Sequence, residues 1–183
     1  NLYHKSFLIT GASGLIASFL IDLLFYANET MDAGIKVYAL VRNKACAEIR
    51  FQTLLENPDF HLVVQDVCNP VDLKERTDYI IHAAGDGYPG AFREHPVETM
   101  LPAVMGTFQL LEYMKKTNGT RFLYVSSGEV YGSGLRKELT ETDSGYVDPM
   151  KSRSCYPSAK RAAETLCASY FAEYGLDTVA ARP

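Results

Sequence analysis

"ITGASGLIASFL", residues 9–20, joins a short apolar run to a longer one through a turn of small residues. The run that leads in, "SFLIT" (6–10), is β-branched and aromatic, as a strand requires. Residues 14–26, which lead out, carry apolar side chains at helical spacing. Gly11, Gly14 and Ala17 therefore stand at three-residue spacing on a strand-to-helix corner. Gly11 permits a tight turn, Gly14 lets a pyrophosphate approach the backbone at a helix N-terminus, and small Ala17 lets helix and strand pack closely. With Ser13, Leu15 and Ile16 they make up the expected phosphate-binding corner. A glycine triplet alone is weak evidence; its place between strand and helix is what favours a dinucleotide over a plain turn.

Five further runs read as strands: "KVYALV" (36–41), "FHLVVQD" (60–66), "DYIIHAA" (78–84), "RFLYVSS" (121–127) and "DTVAARP" (177–183). Between most of them lie segments of helical period at 44–56, 95–117 and 156–174. Near-continuous apolar strands alternating with helices predict an α/β, doubly wound parallel sheet of Rossmann type, as a single domain over 1–183. Residues 132–154, rich in Gly, Ser, Asp and Pro, form a long irregular connection after a strand's carboxyl end, the side on which open α/β sheets bind ligands.

The totals exclude several classes. The 183 residues are 47% hydrophobic and 22% charged with a formal charge of −4, so there is no basic excess for holding nucleic acid. The longest apolar stretch, Leu15 to Phe25, is broken by Ser18 and Asp22 and falls short of the ~20 residues of a membrane span. Cys46, Cys68, Cys155 and Cys167 are widely spaced, which suggests neither zinc nor disulfides and leaves no metal site expected. The chain opens without Met and without a secretory pattern, so N-terminal trimming and a cytoplasmic location are the expectations.

Cofactor choice is written at the end of the second strand, where an acidic residue bonds the ribose of NAD. Here Arg42, followed by Lys44, occupies that place, and a cation accommodates a 2'-phosphate. NAD and NADP both stay open. Asp66, with Val67 beside it at the third strand's end, is in reach of an adenine.

In "RSCYPSAKRAAETL" (153–166), Tyr156 and Lys160 lie four residues apart and so share one helix face. Pro157 suits the first helical position, which puts Tyr156 at the positive end of the helix dipole; that dipole and a neighbouring ammonium both favour a phenolate. Tyr-x-x-x-Lys alone is common on surface helices. "YVSSGEVYG" adds Ser127 at the end of the fifth strand, where a hydroxyl can hold a substrate oxygen while the tyrosine takes its proton.

Taken in order, the glycine turn, "DYIIHAAG", "VSSGEVYG" and Tyr-x-x-x-Lys resemble the extended short-chain dehydrogenase/reductases, in their NAD-dependent epimerase/dehydratase branch, which works on nucleotide sugars. The resemblance implies a catalytic Ser127, Tyr156 and Lys160, a phosphate loop at Gly11, Gly14 and Ala17, and a cofactor-lining strand end at His82, Ala83 and Ala84. The segments around Glu129 and Arg153 look most like the UDP-glucuronate decarboxylase subgroup, in which a glutamate follows the Ser/Thr position by two residues; Glu129 is otherwise a loop carboxylate. Gly128 stands where 4,6-dehydratases carry an aspartate, which disfavours dehydration, and Ala103 stands where the family commonly has asparagine. Relatives continue into a smaller lobe that holds nucleotide and sugar, so 1–183 is expected to be the cofactor half of a longer protein. The family also implies a possible homodimer through helices 95–117 and 156–174. Two other readings stay open: an NADPH-dependent carbonyl reductase, supported by Arg42, and a non-catalytic cofactor-binding domain, opposed by the intact Ser127, Tyr156 and Lys160.

Overall fold

A computed structural model of the protein describes residues 2–134 and 138–183; residues 135–137 of the irregular 132–154 connection lie outside the described residues. Six strands, β1 (Ser6–Thr10), β2 (Lys36–Val41), β3 (Phe60–Val64), β4 (Tyr79–His82), β5 (Arg121–Val125) and β6 (Thr178–Ala181), form one sheet in the order β3-β2-β1-β4-β5-β6. Every neighbouring pair is parallel. The order reverses between β1 and β4, and that switch point opens the crevice in which doubly wound sheets bind ligands.

Alternation along the strands divides the core in two. Phe7 and Ile9 of β1 join Val37, Ala39 and Val41 of β2 under helices α1 (Leu15–Met31) and α2 (Lys44–Arg50). Leu8 points the other way and packs with Ile80, Phe122 and Tyr124 against α5 (Thr107–Thr117) and α6 (Cys155–Tyr174). Fully burying a side chain of this size stabilises by roughly 1.5–3 kcal/mol, so both apolar faces must be covered. The expected doubly wound sheet is therefore the observed one.

Several boundaries differ from the sequence reading, each for a local reason. α1 runs to Met31 and ends on Asp32 in the left-handed region. α2 stops at Arg50, and residues 51–56 continue as tight turns, with Leu54 N–H donating to the Phe51 carbonyl and Asn57 N–H to the Leu54 carbonyl. Those turns drop Phe51 into the core, fully buried. The expected helix 95–117 is broken into α4 (Pro96–Leu101), a π-helical turn (Pro102–Gly106) and α5, preceded by α3 (Pro89–Glu94). Pro102 has no N–H to give the preceding turn, and a π-turn is a local adjustment that accommodates such a gap. α6 begins at Cys155, which makes Pro157 its third residue and not its first, still within the turn where a missing N–H is harmless. β3, β4, β5 and β6 all end earlier than expected, so Asp66, Ala83, Ala84 and Ser127 sit on loops beyond the strands.

The π-turn is tied to the sheet by His82. Its Nε2 lies 3.0 Å from the Pro102 carbonyl and its Nδ1 lies 2.7 Å from the Thr10 hydroxyl, with His82 and Thr10 both buried. A carbonyl only accepts, so Nε2 carries the proton and Thr10 donates to Nδ1. Thr10 in turn accepts the Ala84 N–H at 3.3 Å. Gly106 makes room for the ring: a Cβ there would stand 3.2 Å from His82 Nε2 and Cε1 and 3.0 Å from Val67.

Burial holds His82 neutral and lowers its pKa from 6.5 to about 3. The unfolded chain then binds the extra proton between pH 6.5 and about 3, so stability must fall as pH drops through that window. His82→Gln, compared with the parent by urea unfolding at a series of pH values, is expected to flatten the acid slope by about 1.4 kcal/mol per pH unit. Parallel slopes would show that His82 does not titrate on unfolding.

Candidate active site

The glycine corner is shaped by close approach. Gly11 has φ +62°, and a Cβ built on it would stand 2.7 Å from the Ala83 carbonyl oxygen and 2.7 Å from Ala84 Cα. Both the left-handed backbone and the passing end of β4 exclude a side chain. Gly14 is the N-cap of α1, with extended backbone and a Cβ position 3.0 Å from the Gly11 carbonyl. No side chain caps α1 and no acidic residue stands in its first turn, so its leading amides and positive end remain available to an anion.

Two cavities open from this corner and share Gly11, Gly14, Ala83 and Gly85. The first, about 240 Å³, is walled by Ser13, Arg42, Asp66, Val67 and Ala84, and runs over the ends of β2 and β3. The second, about 400 Å³, is walled by Leu15, Ile16, Ser127, Tyr156 and Lys160, and runs over β5 to α6. Together they make one elongated cleft across the sheet's switch point, a shape that fits a dinucleotide with its pyrophosphate at Gly14. Asp66 is partly engaged, accepting the Cys68 N–H at 2.9 Å.

Of the residues expected to bind the cofactor, His82 is turned away from the cleft. It lines neither cavity and serves as the buried tie described above. The alternation of β4 explains this: Ile81 faces the α1 layer while His82 faces the layer beneath the π-turn, and only the loop residues Ala83 and Ala84 reach the opening. Gly85 and Gly87 also wall the cleft, and a Cβ on Gly87 would stand 3.9 Å from the Tyr156 hydroxyl. The glycines of "AAGDGYPG" were the available signal for that wall.

Lys160 is buried, donates to the Val125 carbonyl at 2.8 Å and lies 4.8 Å over the Tyr124 ring and 5.5 Å over the Tyr156 ring. Burial lowers its pKa from 10.5 to about 8, opposed by Glu164 one turn on. Glu164 is itself clamped by Arg182, with contacts of 2.9 and 2.6 Å, and this pair ties the end of β6 to α6. Ser127 is extended, and its oxygen accepts the Glu129 N–H at 3.2 Å, which leaves the hydroxyl proton free to donate elsewhere. Glu129 does not cap that turn; its carboxylate is held by Arg153 through bonds of 3.0 and 2.7 Å. Ser127, Tyr156 and Lys160 thus meet in one cavity, and Glu129 stands on a neighbouring opening with Arg153 and Pro157.

Comparison with known proteins agrees with this fold. The profile of the NAD dependent epimerase/dehydratase family matches residues 7–183. UDP-glucuronic acid decarboxylase 1 of Arabidopsis thaliana is 35% identical over 174 residues, covering 95% of this chain and 38% of that protein. UDP-glucuronic acid 4-epimerase from Bacillus cereus, solved with UDP-glucuronic acid and NAD, superposes with a TM-score of 0.78 at 23% identity, covering 97% of this chain and 55% of that one. dTDP-glucose 4,6-dehydratase from Bacillus anthracis, in complex with NAD, gives 0.74 at 25% identity, covering 97% and 54%. The chain spans less than half the length of the curated relatives it matches.

Two stability outcomes follow from the site itself. Gly11→Ala is expected to destabilise well beyond the ~1 kcal/mol typical of a point change, because the chain must yield at a strained φ and against backbone atoms at once; Gly14→Ala, at an ordinary φ, is expected to unfold at a clearly higher urea concentration. For Lys160, folded and unfolded chains differ in bound protons between pH about 8 and 10.5, so parental stability rises across that window. Lys160→Met removes a buried ammonium and is expected to melt at or above the parent temperature at pH 7, with the alkaline rise lost; a lower melting temperature would mean that the Val125 contact outweighs desolvation.

Proposed function

The chain belongs to the NAD dependent epimerase/dehydratase family, and on that premise we propose that it is the cofactor-binding and acid/base part of a nucleotide-sugar enzyme of UDP-glucuronate decarboxylase type. The observation that carries the proposal is the convergence of Ser127, Tyr156 and Lys160 on one cavity that continues into the Gly11–Gly14 corner.

The Gly11 and Gly14 cradle, the first-turn amides of α1, Asp66 and Lys160 would hold NAD, whose chemistry is to accept a hydride and later return it. Arg42 in the wall of the first cavity supports NADP as a second reading, and mass spectrometry of the nucleotide released from purified protein separates the two.

The residues of this chain do the proton work. The Tyr156 oxygen takes the proton of a sugar hydroxyl, at C4, while the Ser127 hydroxyl bonds the same oxygen and fixes its orientation. Lys160, held under Tyr156 by the Val125 carbonyl, places positive charge beneath the ring as phenolate forms. Oxidation at C4 makes a 5-carboxylate a β-keto acid, which loses carbon dioxide readily; the enolate left behind takes a proton at C5 from solvent water, and Tyr156 then returns its own proton to the C4 oxygen as the ketone is reduced. Such a cycle consumes no free cofactor. Glu129, within the span of the site, is the added carboxylate of the decarboxylase-like motif. Four free cysteines support a reducing, cytoplasmic setting, and exposed Phe108 on α5 with Phe171 on α6 supports pairing with a second copy.

Incubation of the full-length chain with UDP-glucuronate is expected to yield a product lighter by carbon dioxide without net change in NADH absorbance. Tyr156→Phe is expected to keep nucleotide binding by calorimetry and to lose turnover by 10²-fold or more, the range for a general base. Net oxidation of NADPH on a carbonyl substrate would favour the reductase reading; full activity in Tyr156→Phe would remove the proposed base.

A further inference from the structure

One guanidinium links Glu129 to the ring that stacks on Tyr156. Arg153 grips the Glu129 carboxylate with two nitrogens, at 3.0 and 2.7 Å. The same group lies 4.9 Å over the ring of Phe92, and Phe92 stacks on Tyr156 with centroids 4.3 Å apart and planes 17° from parallel. Phe92 is fully buried on α3, whose last turn is held to α6 by the Cys155 thiol donating to the Phe92 carbonyl at 3.7 Å. Arg153 sits in the 3-10 turn Ser152–Ser154 that leads straight into α6, two residues before the turn that carries Tyr156.

We infer that Arg153 is a positioning residue for the reaction: its planar guanidinium, anchored on Glu129, presses Phe92 against Tyr156 and so sets the direction in which the phenol oxygen points. The inference rests on the reading of Tyr156 as the base. Arginine suits the task because one flat group can satisfy a carboxylate edge-on and cover an aromatic ring with its face. A lysine offers the charge without the plane. The tyrosine needs such help because, among the described residues, no side chain hydrogen-bonds its hydroxyl, and a misplacement of about 1 Å at a reacting atom is enough to slow turnover on the order of 10²-fold. The Phe92 ring and the Lys160 ammonium are both placed against the Tyr156 ring.

The test uses Arg153→Met, Arg153→Lys and Phe92→Leu in the full-length chain, labelled with ¹³C at tyrosine Cζ and with the Tyr156 signal assigned through Tyr156→Phe. Arg153→Met is expected to melt near the parent temperature, to keep KM and nucleotide affinity, to lower kcat on the order of 10²-fold, and to move the Tyr156 resonance. Arg153→Lys is expected to move the same resonance and recover little of kcat. Because Arg153 acts through Phe92, the double variant with Phe92→Leu is expected to be no slower than Phe92→Leu alone. An unmoved Tyr156 signal in Arg153→Met, full recovery by lysine, or losses that multiply in the double variant would each overturn the inference. If the parent chain turns over no UDP-glucuronate while the Tyr156 signal still moves in Arg153→Met, the proposed activity falls and the positioning role stands.

Discussion

The end of β4 passes so close under Gly11 that no side chain can stand between them. Everything on the ligand side of the sheet depends on that contact. It fixes where β1 turns, hence where α1 begins, hence where the uncapped amides of α1 point. It also brings Ala83 to the mouth of the crevice, where it becomes part of the shared wall of the two cavities, and Ala84 to the wall of the first. A Cβ at this place would push the first corner off the fourth strand and close the crevice from the inside, which is why backbone sterics, and no charged group, are the first requirement of the site.

A second layer of order comes from buried and half-buried polar groups that join one element to another. His82 joins β4, β1 and the π-turn, and the bond directions are forced because the last acceptor is a carbonyl. Glu164 and Arg182 join α6 to β6, and Arg161 reaches from α6 to the carbonyls of Val130 and Gly145. The last two ties start from α6 within one helical turn of Lys160. Because an unsatisfied buried polar group costs free energy comparable to a lost hydrogen bond, these ties select one arrangement of helix and loop over others that would bury similar apolar area.

Much of this was legible in the sequence, for definable reasons. Strand runs that are apolar without alternation can only be buried on both faces, and the spacing of Gly11 and Gly14 has a backbone meaning independent of context. What was not legible depends on contacts between distant residues. His82 reads as part of a cofactor-lining strand end, yet side-chain parity on β4 sends it to the opposite layer. α1 is apolar nearly all round, with Ile21 and Phe25 buried but Phe19, Leu23 and Tyr26 exposed, so its period could not say which side meets the sheet. Pro157 suggests a helix start two residues late because the rule that favours proline at the first position also tolerates it within the first turn. Arg153 and Phe92 are far apart in the chain and carry no motif that joins them.

The one-way chain from Ala84 N–H through Thr10 and His82 to the Pro102 carbonyl has a further meaning for traffic across the sheet. A proton wire needs links that can donate in either sense, and this one begins at a peptide amide and ends at a peptide oxygen. It therefore insulates. A proton released in the cleft has no route along this chain of bonds to the layer beneath.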